Sequence, residues 1–123
     1  ELRGKERRLS SGMEVALFRL VQESLTNVSK HANATFVTVD MLFQQDGKVR
    51  VVIADNGVGF DVDRWKAKGG GGGANFGLVG MKERVELLQG KFEVESNINA
   101  GTKIIIEVPD ENAKSMKEDE NHE

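Results

Sequence analysis

Residues 48–60 read Lys48-Val49-Arg50-Val51-Val52-Ile53-Ala54-Asp55-Asn56-Gly57-Val58-Gly59-Phe60. Val49, Val51 and Ile53 alternate with other residues, and this period of two predicts a strand with one buried face. The strand runs into a single carboxylate, Asp55, followed by glycines at alternate positions. A lone carboxylate at the end of a buried strand can offer one acceptor to a ligand. Gly57 and Gly59 can bring the backbone close to something bulky, because neither carries a Cβ. Asn56-Gly57 also has a plainer reading as a hairpin turn, with Asp55 merely at its corner.

Working upstream, Val37, Val39, Met41 and Phe43 share the same alternation, and Gln45-Asp46-Gly47 supplies a turn. Two adjacent antiparallel strands are expected over 35–55. Before them, Ser11 and Glu14 have capping-box spacing. Met13, Leu17, Leu20, Val21, Leu25, Val28 and Ala32 recur at helical intervals, which predicts a helix over about 12–32. Residues 1–11 read as the end of a preceding element, and a chain opening on Glu1 rather than Met reads as part of a longer protein.

Downstream, residues 61–76 lack apolar periodicity and hold five consecutive glycines, Gly69 to Gly73. Ordering such a run is entropically costly, so a mobile segment is expected. It reads either as a lid over a ligand, with Arg64, Lys66, Lys68 and Phe76 as its notable side chains, or as a polyglycine linker without function. Leu78, Met81, Val85 and Leu88 predict a second helix, with Gly90 as its C′ residue. Phe92 and Val94 open a third strand, Asn97 to Gly101 form a turn, and Ile104, Ile106 and Val108 make a fourth strand closed by Pro109. Residues 110–123 are polar and mostly acidic, as in a disordered tail.

The order helix, strand, strand, loop, helix, strand, strand predicts an α+β fold. Its architecture is a two-layer α/β sandwich, with a mixed, mostly antiparallel sheet covered on one face by helices. The ordered domain is expected over 12–109, with a partly polar outer sheet face marked by Lys103 and Glu107. The 123 residues suffice for one core. A net charge of −3 argues against generic nucleic-acid binding. Cysteine is absent, which excludes disulfide and thiol chemistry. No apolar run approaches membrane-spanning length, so no bilayer span and no membrane contact by this domain are expected. The absence of cysteine permits a cytoplasmic setting, which is the expected one for this domain whether the parent protein is soluble or membrane-anchored.

Glu23, Asn27, Lys30 and His31 share one face of the first predicted helix. The plainer reading is a solvated face. The functional reading is a wall for divalent metal and phosphate. Asn27 would offer a carbonyl oxygen to Mg²⁺, Lys30 and His31 would meet phosphate oxygens, and Glu23 would orient a metal-bound water or hold Asn27. Asp55 could accept the exocyclic N–H of adenine, where guanine carries a repelling acceptor. Gly77-Leu78-Val79-Gly80 opens the second helix, whose start could receive an anion or could be only a loose cap. Thr102 could add a hydroxyl to the base site, or simply favour the strand.

In this order the motifs resemble those of sensor histidine kinases. Phe18-Arg19-Leu20-Val21-Gln22-Glu23-Ser24-Leu25-Thr26-Asn27 with Lys30-His31-Ala32 is similar to their N box. Asp55-Asn56-Gly57-Val58-Gly59-Phe60 is similar to the G1 box, Gly77-Leu78-Val79-Gly80-Met81-Lys82-Glu83-Arg84 to the G2 box, and Gly101-Thr102 to the last motif. The Arg-x-x-Gln-Glu and Lys-His-Ala variants resemble the NarX/DegS/LiaS subfamily, and DegS-type kinases most. The resemblance covers about 12–109.

It implies a Bergerat-type site for ATP and Mg²⁺. Asn27 would ligate the metal, Asp55 bind adenine N6, and Lys30 and His31 face the phosphates. Gly57, Gly59, Gly77 and Gly80 would allow close approach beside Leu78, and Thr102 would complete the base pocket. The implied function is the catalytic domain of a two-component sensor kinase. Its γ-phosphate would pass to a histidine on a separate upstream dimerisation domain, and then to a response regulator of NarL/DegU type. The parent protein would be a homodimer. Neither His31 nor His122 reads as the acceptor. The alternative is an ATPase of the wider family, or a serine kinase like those acting on anti-sigma factors. In the hydrolytic branch a Glu at the position of Glu23 activates water.

Overall fold

The structure, a computed structural model, describes residues 2–4, 11–29, 33–44, 46–67 and 77–109. Its elements are β1 (Leu2–Gly4), α1 (Ser11–Asn27), β2 (Val37–Phe43), β3 (Lys48–Asp55), α2 (Val62–Ala67), α3 (Leu78–Leu87), β4 (Lys91–Ser96) and β5 (Thr102–Pro109). The strands form one five-stranded sheet in the order β1-β2-β3-β5-β4. β1 runs parallel to β2, and the other neighbours are antiparallel. The expected mixed, mostly antiparallel sheet is present. β1 was not anticipated, since three residues are too few to show a period.

Register turns the alternation into rows. Met41, Val51, Ile106 and Phe92 lie side by side across four strands, and Val39, Ile53, Ile104 and Val94 form the next row. α1 adds Met13, Leu17 and Leu20 to this face, and α3 adds Leu78, Met81 and Val85, giving one continuous core. Val49, Val51, Met81, Val85 and Ile106 are completely buried. The opposite face carries Arg50, Lys103 and Glu107, with Lys48 3.6 Å from Glu107. It is partly polar, as expected.

Four details depart from the sequence reading. The buried line of α1 is Met13, Leu17, Leu20 and Ser24, while Leu25 is 37% exposed. Ser24 can be buried because its hydroxyl donates to the Leu20 carbonyl at 2.9 Å. The α-helix ends at Asn27, and residues 28–29 continue in a wider π turn. Its predicted extension to residue 32 lies outside the described residues.

The second departure is α2, inside the segment expected to be only a lid or linker. Asp61 starts it by accepting the Arg64 N–H at 3.1 Å, an N-cap bond that six residues of sequence could not announce through periodicity. The glycine run falls outside the described residues. The third is the end of α3. Gln89, not Gly90, takes the left-handed conformation, with φ 61°. Gln89 N–H donates to the Glu86 carbonyl at 2.9 Å and Gly90 N–H to the Val85 carbonyl at 2.9 Å, which is a Schellman motif. Gly90 is small because a Cβ there would lie 2.5 Å from the Glu107 carbonyl oxygen.

The fourth is Asn56-Gly57, which is no hairpin. β3 pairs with β2 and β5 instead. Asn56 Oδ1 accepts the N–H groups of Thr35 and Phe36, each at 3.0 Å, and its Nδ2 donates to Thr35 Oγ1 at 2.9 Å. Its side chain ties the approach to β2 onto the end of β3.

Candidate nucleotide site

The site grows out of the sheet's periodicity. Residues of one strand that differ by two share a face. Asp55 therefore continues the line of Val49, Val51 and Ile53, Thr102 that of Ile104 and Ile106, and Ser96 that of Phe92 and Val94. Asp55 pairs with Thr102, and Thr102 with Ser96. One row beyond the apolar core, three strands thus place a carboxylate and two hydroxyls side by side.

A cleft of about 410 Å³, counted to its open mouth, lies over this row. Its apolar wall is Val28, Val58, Phe60, Leu78 and Ile104, and its polar groups come from Ser24, Asn27, Asp55 and Thr102, with Gly59 at the edge. An apolar cleft with a few convergent polar groups is the usual form of a small-molecule site. Asp55 Oδ1 accepts the Gly57 N–H at 2.8 Å, while its second oxygen makes no hydrogen bond among the described residues. That leaves a fixed carboxylate with an acceptor to spare.

Asn27 reaches the cleft because of the phase of α1. With Ser24 on the buried line, Asn27 lies only about 60° away on the helix surface and stands at the rim. Glu23 is turned elsewhere. Its carboxylate forms an ion pair with the Arg84 guanidinium of α3, and Arg84 Nε also donates to the Gly80 carbonyl at 3.4 Å. Lys30 and His31 lie outside the described residues.

Two of the glycines serve the protein itself. Gly59 has φ +63°, and a Cβ there would overlap the Asn97 carbonyl oxygen and stand 2.8 Å from that of Gly101. Gly101 has φ +78°, and its Cβ would overlap the Asp55 carbonyl oxygen. The loop after β3 and the turn before β5 are thus interlocked, and Asn99 N–H reinforces them by donating to the Val58 carbonyl at 2.6 Å. Gly77 is the left-handed N-cap of α3, with φ 74°; a Cβ there would lie 3.1 Å from Glu23 Oε1. At Gly80 a Cβ would meet only Arg84 Nη2, at 4.0 Å, so no described contact demands a glycine. Gly57 is buried beside Asp55.

Of the residues singled out in the sequence, the fold brings Asn27, Asp55, Gly59, Leu78 and Thr102 to one cleft, with Gly57 adjoining. Gly77 and Gly80 stand at the start of α3 next to it. Ser24, Val28, Val58, Phe60 and Ile104 also line the cleft and were not named as site residues. Ser96 was missed too. Its parity with Phe92 and Val94 could have placed it on the inner face, but register was needed to set it against Thr102.

The family model described as "Histidine kinase-, DNA gyrase B-, and HSP90-like ATPase" matches residues 12–112. The chain is 48% identical over 106 residues to the signal transduction histidine-protein kinase/phosphatase DegS of Brevibacillus brevis, covering 86% of this chain and 26% of that protein. It is 42% identical over 101 residues to the sensor histidine kinase LiaS of Bacillus subtilis (strain 168), covering 82% of this chain and 26% of that protein. The chain thus spans about a quarter of the length of these curated relatives.

Among solved structures, the histidine kinase domain of the Erythrobacter litoralis EL346 blue-light activated histidine kinase aligns with a TM-score of 0.66 at 21% identity, covering 93% of this chain and 55% of that chain. The ATP binding domain of PrrB from Mycobacterium tuberculosis aligns at 0.63 and 22% identity, covering 78% of this chain and 68% of that chain. These two share the fold. With the motifs, the cleft and the match over 12–112 in agreement, the chain belongs to the histidine kinase-, DNA gyrase B- and HSP90-like ATPase family.

Proposed function

We propose that this chain is the ATP-binding catalytic domain of a two-component sensor histidine kinase. The observation that carries the reading is the row at the floor of the cleft, where Asp55 and Thr102 lie opposite each other beyond an apolar wall. Val58, Phe60, Leu78 and Ile104 suit a flat, apolar ring, and Asp55 accepts the exocyclic N–H that distinguishes adenine. Asn27 and the start of α3 stand where the triphosphate would leave the base site, with Gly77 and Gly80 admitting it.

Among the described residues no group of three or more His, Cys, Asp or Glu could hold a metal by itself. A single neutral Asn at the rim still suits Mg²⁺, which retains water and takes phosphate oxygens as ligands. Asn27 would supply that amide oxygen, and Mg²⁺ when bound neutralises phosphate charge. Lys30 and His31 would add cationic or hydrogen-bonding contacts to the phosphates. Phosphoryl transfer depends mainly on such positioning and charge neutralisation. The γ-phosphate would pass to a histidine of a separate dimerisation domain of a homodimeric parent, and then to a response regulator. The DegS and LiaS relatives favour a regulator of the NarL/DegU type. Glu23 is held by Arg84, which favours a positioning role for Glu23 over activation of water and so favours the kinase over an ATPase.

The test is titration of ATP with Mg²⁺ against the wild type and Asp55→Asn. A hydrogen bond to a charged group contributes about 1.5–3 kcal/mol, so the substitution should weaken ATP by roughly 10- to 100-fold. Equal affinities would overturn the adenine assignment.

A further inference from the structure

Ser96 ends β4, and its hydroxyl meets three partners at once. It accepts the Phe60 N–H at 2.8 Å, donates to the Gly101 carbonyl at 2.8 Å, and lies 2.9 Å from Thr102 Oγ1. A hydroxyl has one hydrogen and two lone pairs. The Gly101 carbonyl can only accept, so the Ser96 hydrogen is committed there. The Phe60 N–H can only donate, so it occupies one lone pair. The third bond then closes in a single way: Thr102 donates its hydrogen to the remaining lone pair of Ser96.

Thr102 consequently has no hydrogen left for the cleft and presents lone pairs alone. Asp55, its partner across the β3–β5 ladder, is also an acceptor. The floor of the cleft is a pair of acceptors, and a ligand edge lying on it must bring donors. A 6-aminopurine brings two N–H bonds on one nitrogen, whereas a 6-oxopurine brings an acceptor to the same place. A freely turning threonine would compromise this selection, because it could rotate and donate to a 6-oxo group. We propose that Ser96 is a specificity-determining positioning residue, which fixes Thr102 as an acceptor and so makes the cleft reject 6-oxopurine nucleotides. The proposal rests on the adenine reading given above.

The same hydroxyl anchors the backbone of Phe60, a wall of the cleft, so loss of Ser96 should weaken nucleotides in general. Specificity separates the two effects. ATP and inosine triphosphate are titrated with Mg²⁺ against the 123-residue chain as wild type, Ser96→Ala, Ser96→Thr and Thr102→Val. The readout is the ratio of the inosine triphosphate Kd to the ATP Kd. The wild type should favour ATP. Ser96→Ala frees the Thr102 hydrogen for the 6-oxo group, and one regained hydrogen bond should lower the ratio about tenfold. Ser96→Thr keeps the hydroxyl and should keep the ratio.

If Ser96→Ala weakens both nucleotides by the same factor, Ser96 supports only the loop and the proposal falls. If Ser96→Ala does not hold its fold in a thermal melt, Thr102→Val decides. Losing an acceptor lowers the ratio, whereas a rise would mean that Thr102 donates into the cleft and would overturn the proposal. A wild type that binds both nucleotides equally overturns the adenine reading itself. Discrimination in the wild type with an unchanged ratio in the variants overturns the role of Ser96 alone.

Discussion

A single missing Cβ shapes the base site from behind. Gly101 has φ +78°, and a side chain there would be driven into the backbone of Asp55 and stand 3.2 Å from Asn56 Cα. Backbone cannot swing away as a flexible side chain can, so Asp55 itself would have to move. Gly101→Ala should therefore cost about 2–4 kcal/mol, combining left-handed strain with overlap. Urea denaturation of the variant would measure it, and a midpoint equal to wild type would show that the turn relaxes freely. The glycines of the 55–60 motif could be read from the sequence as permitting close approach. What approaches Gly59 in the fold is the Asn97–Gly101 turn, forty residues on in the chain, and spacing could not announce it.

At the scale of the element, α3 ends one residue earlier than the sequence reading, which expected Gly90 as its C′ residue. Gln89 occupies the left-handed C′ position, and Gly90 the crowded one beside Glu107 and Val108. Gln89→Gly should stabilise the protein by about 0.5 kcal/mol, relief of left-handed strain being partly offset by a freer unfolded chain. Gly90→Ala should instead destabilise it, because the Cβ would stand 2.9 Å from Val85 Cγ1 and closer still to the Glu107 carbonyl. Thermal melts of the two variants should move in opposite directions; a loss of stability in Gln89→Gly would contradict the assignment. On α1 the apolar spacing located the helix but misjudged its phase. Ser24 could be placed on the buried line only once its hydroxyl was seen to be satisfied within the helix. That rotation is what brings Asn27 to the rim.

At the scale of the whole molecule, the described residues make one five-stranded sheet with α1 and α3 packed on one face, and the proposed kinase reading leaves the histidine acceptor to another domain. The chain contains two histidines, His31 and His122, both outside the described residues, and the sequence reading expects neither to be the phosphoacceptor. Incubated with Mg²⁺ and γ-labelled ATP, it should bind the nucleotide yet accumulate no acid-labile phosphate. Stable phosphohistidine on this chain alone would overturn that division of labour. The alternation of Val49, Val51 and Ile53, the helical spacing of α1 and α3, and the order of the glycine motifs were enough to reach the α+β sandwich and the family, and to single out Asp55 as a candidate. These are local properties, because periodicity follows from backbone geometry and a motif carries its own chemistry. Register, helix phase and hydrogen direction are not local. The alignment of Asp55, Thr102 and Ser96 in one row, the engagement of Glu23 by Arg84, and the commitment of the Thr102 hydrogen depend on how distant segments pack, and only the tertiary structure decided them.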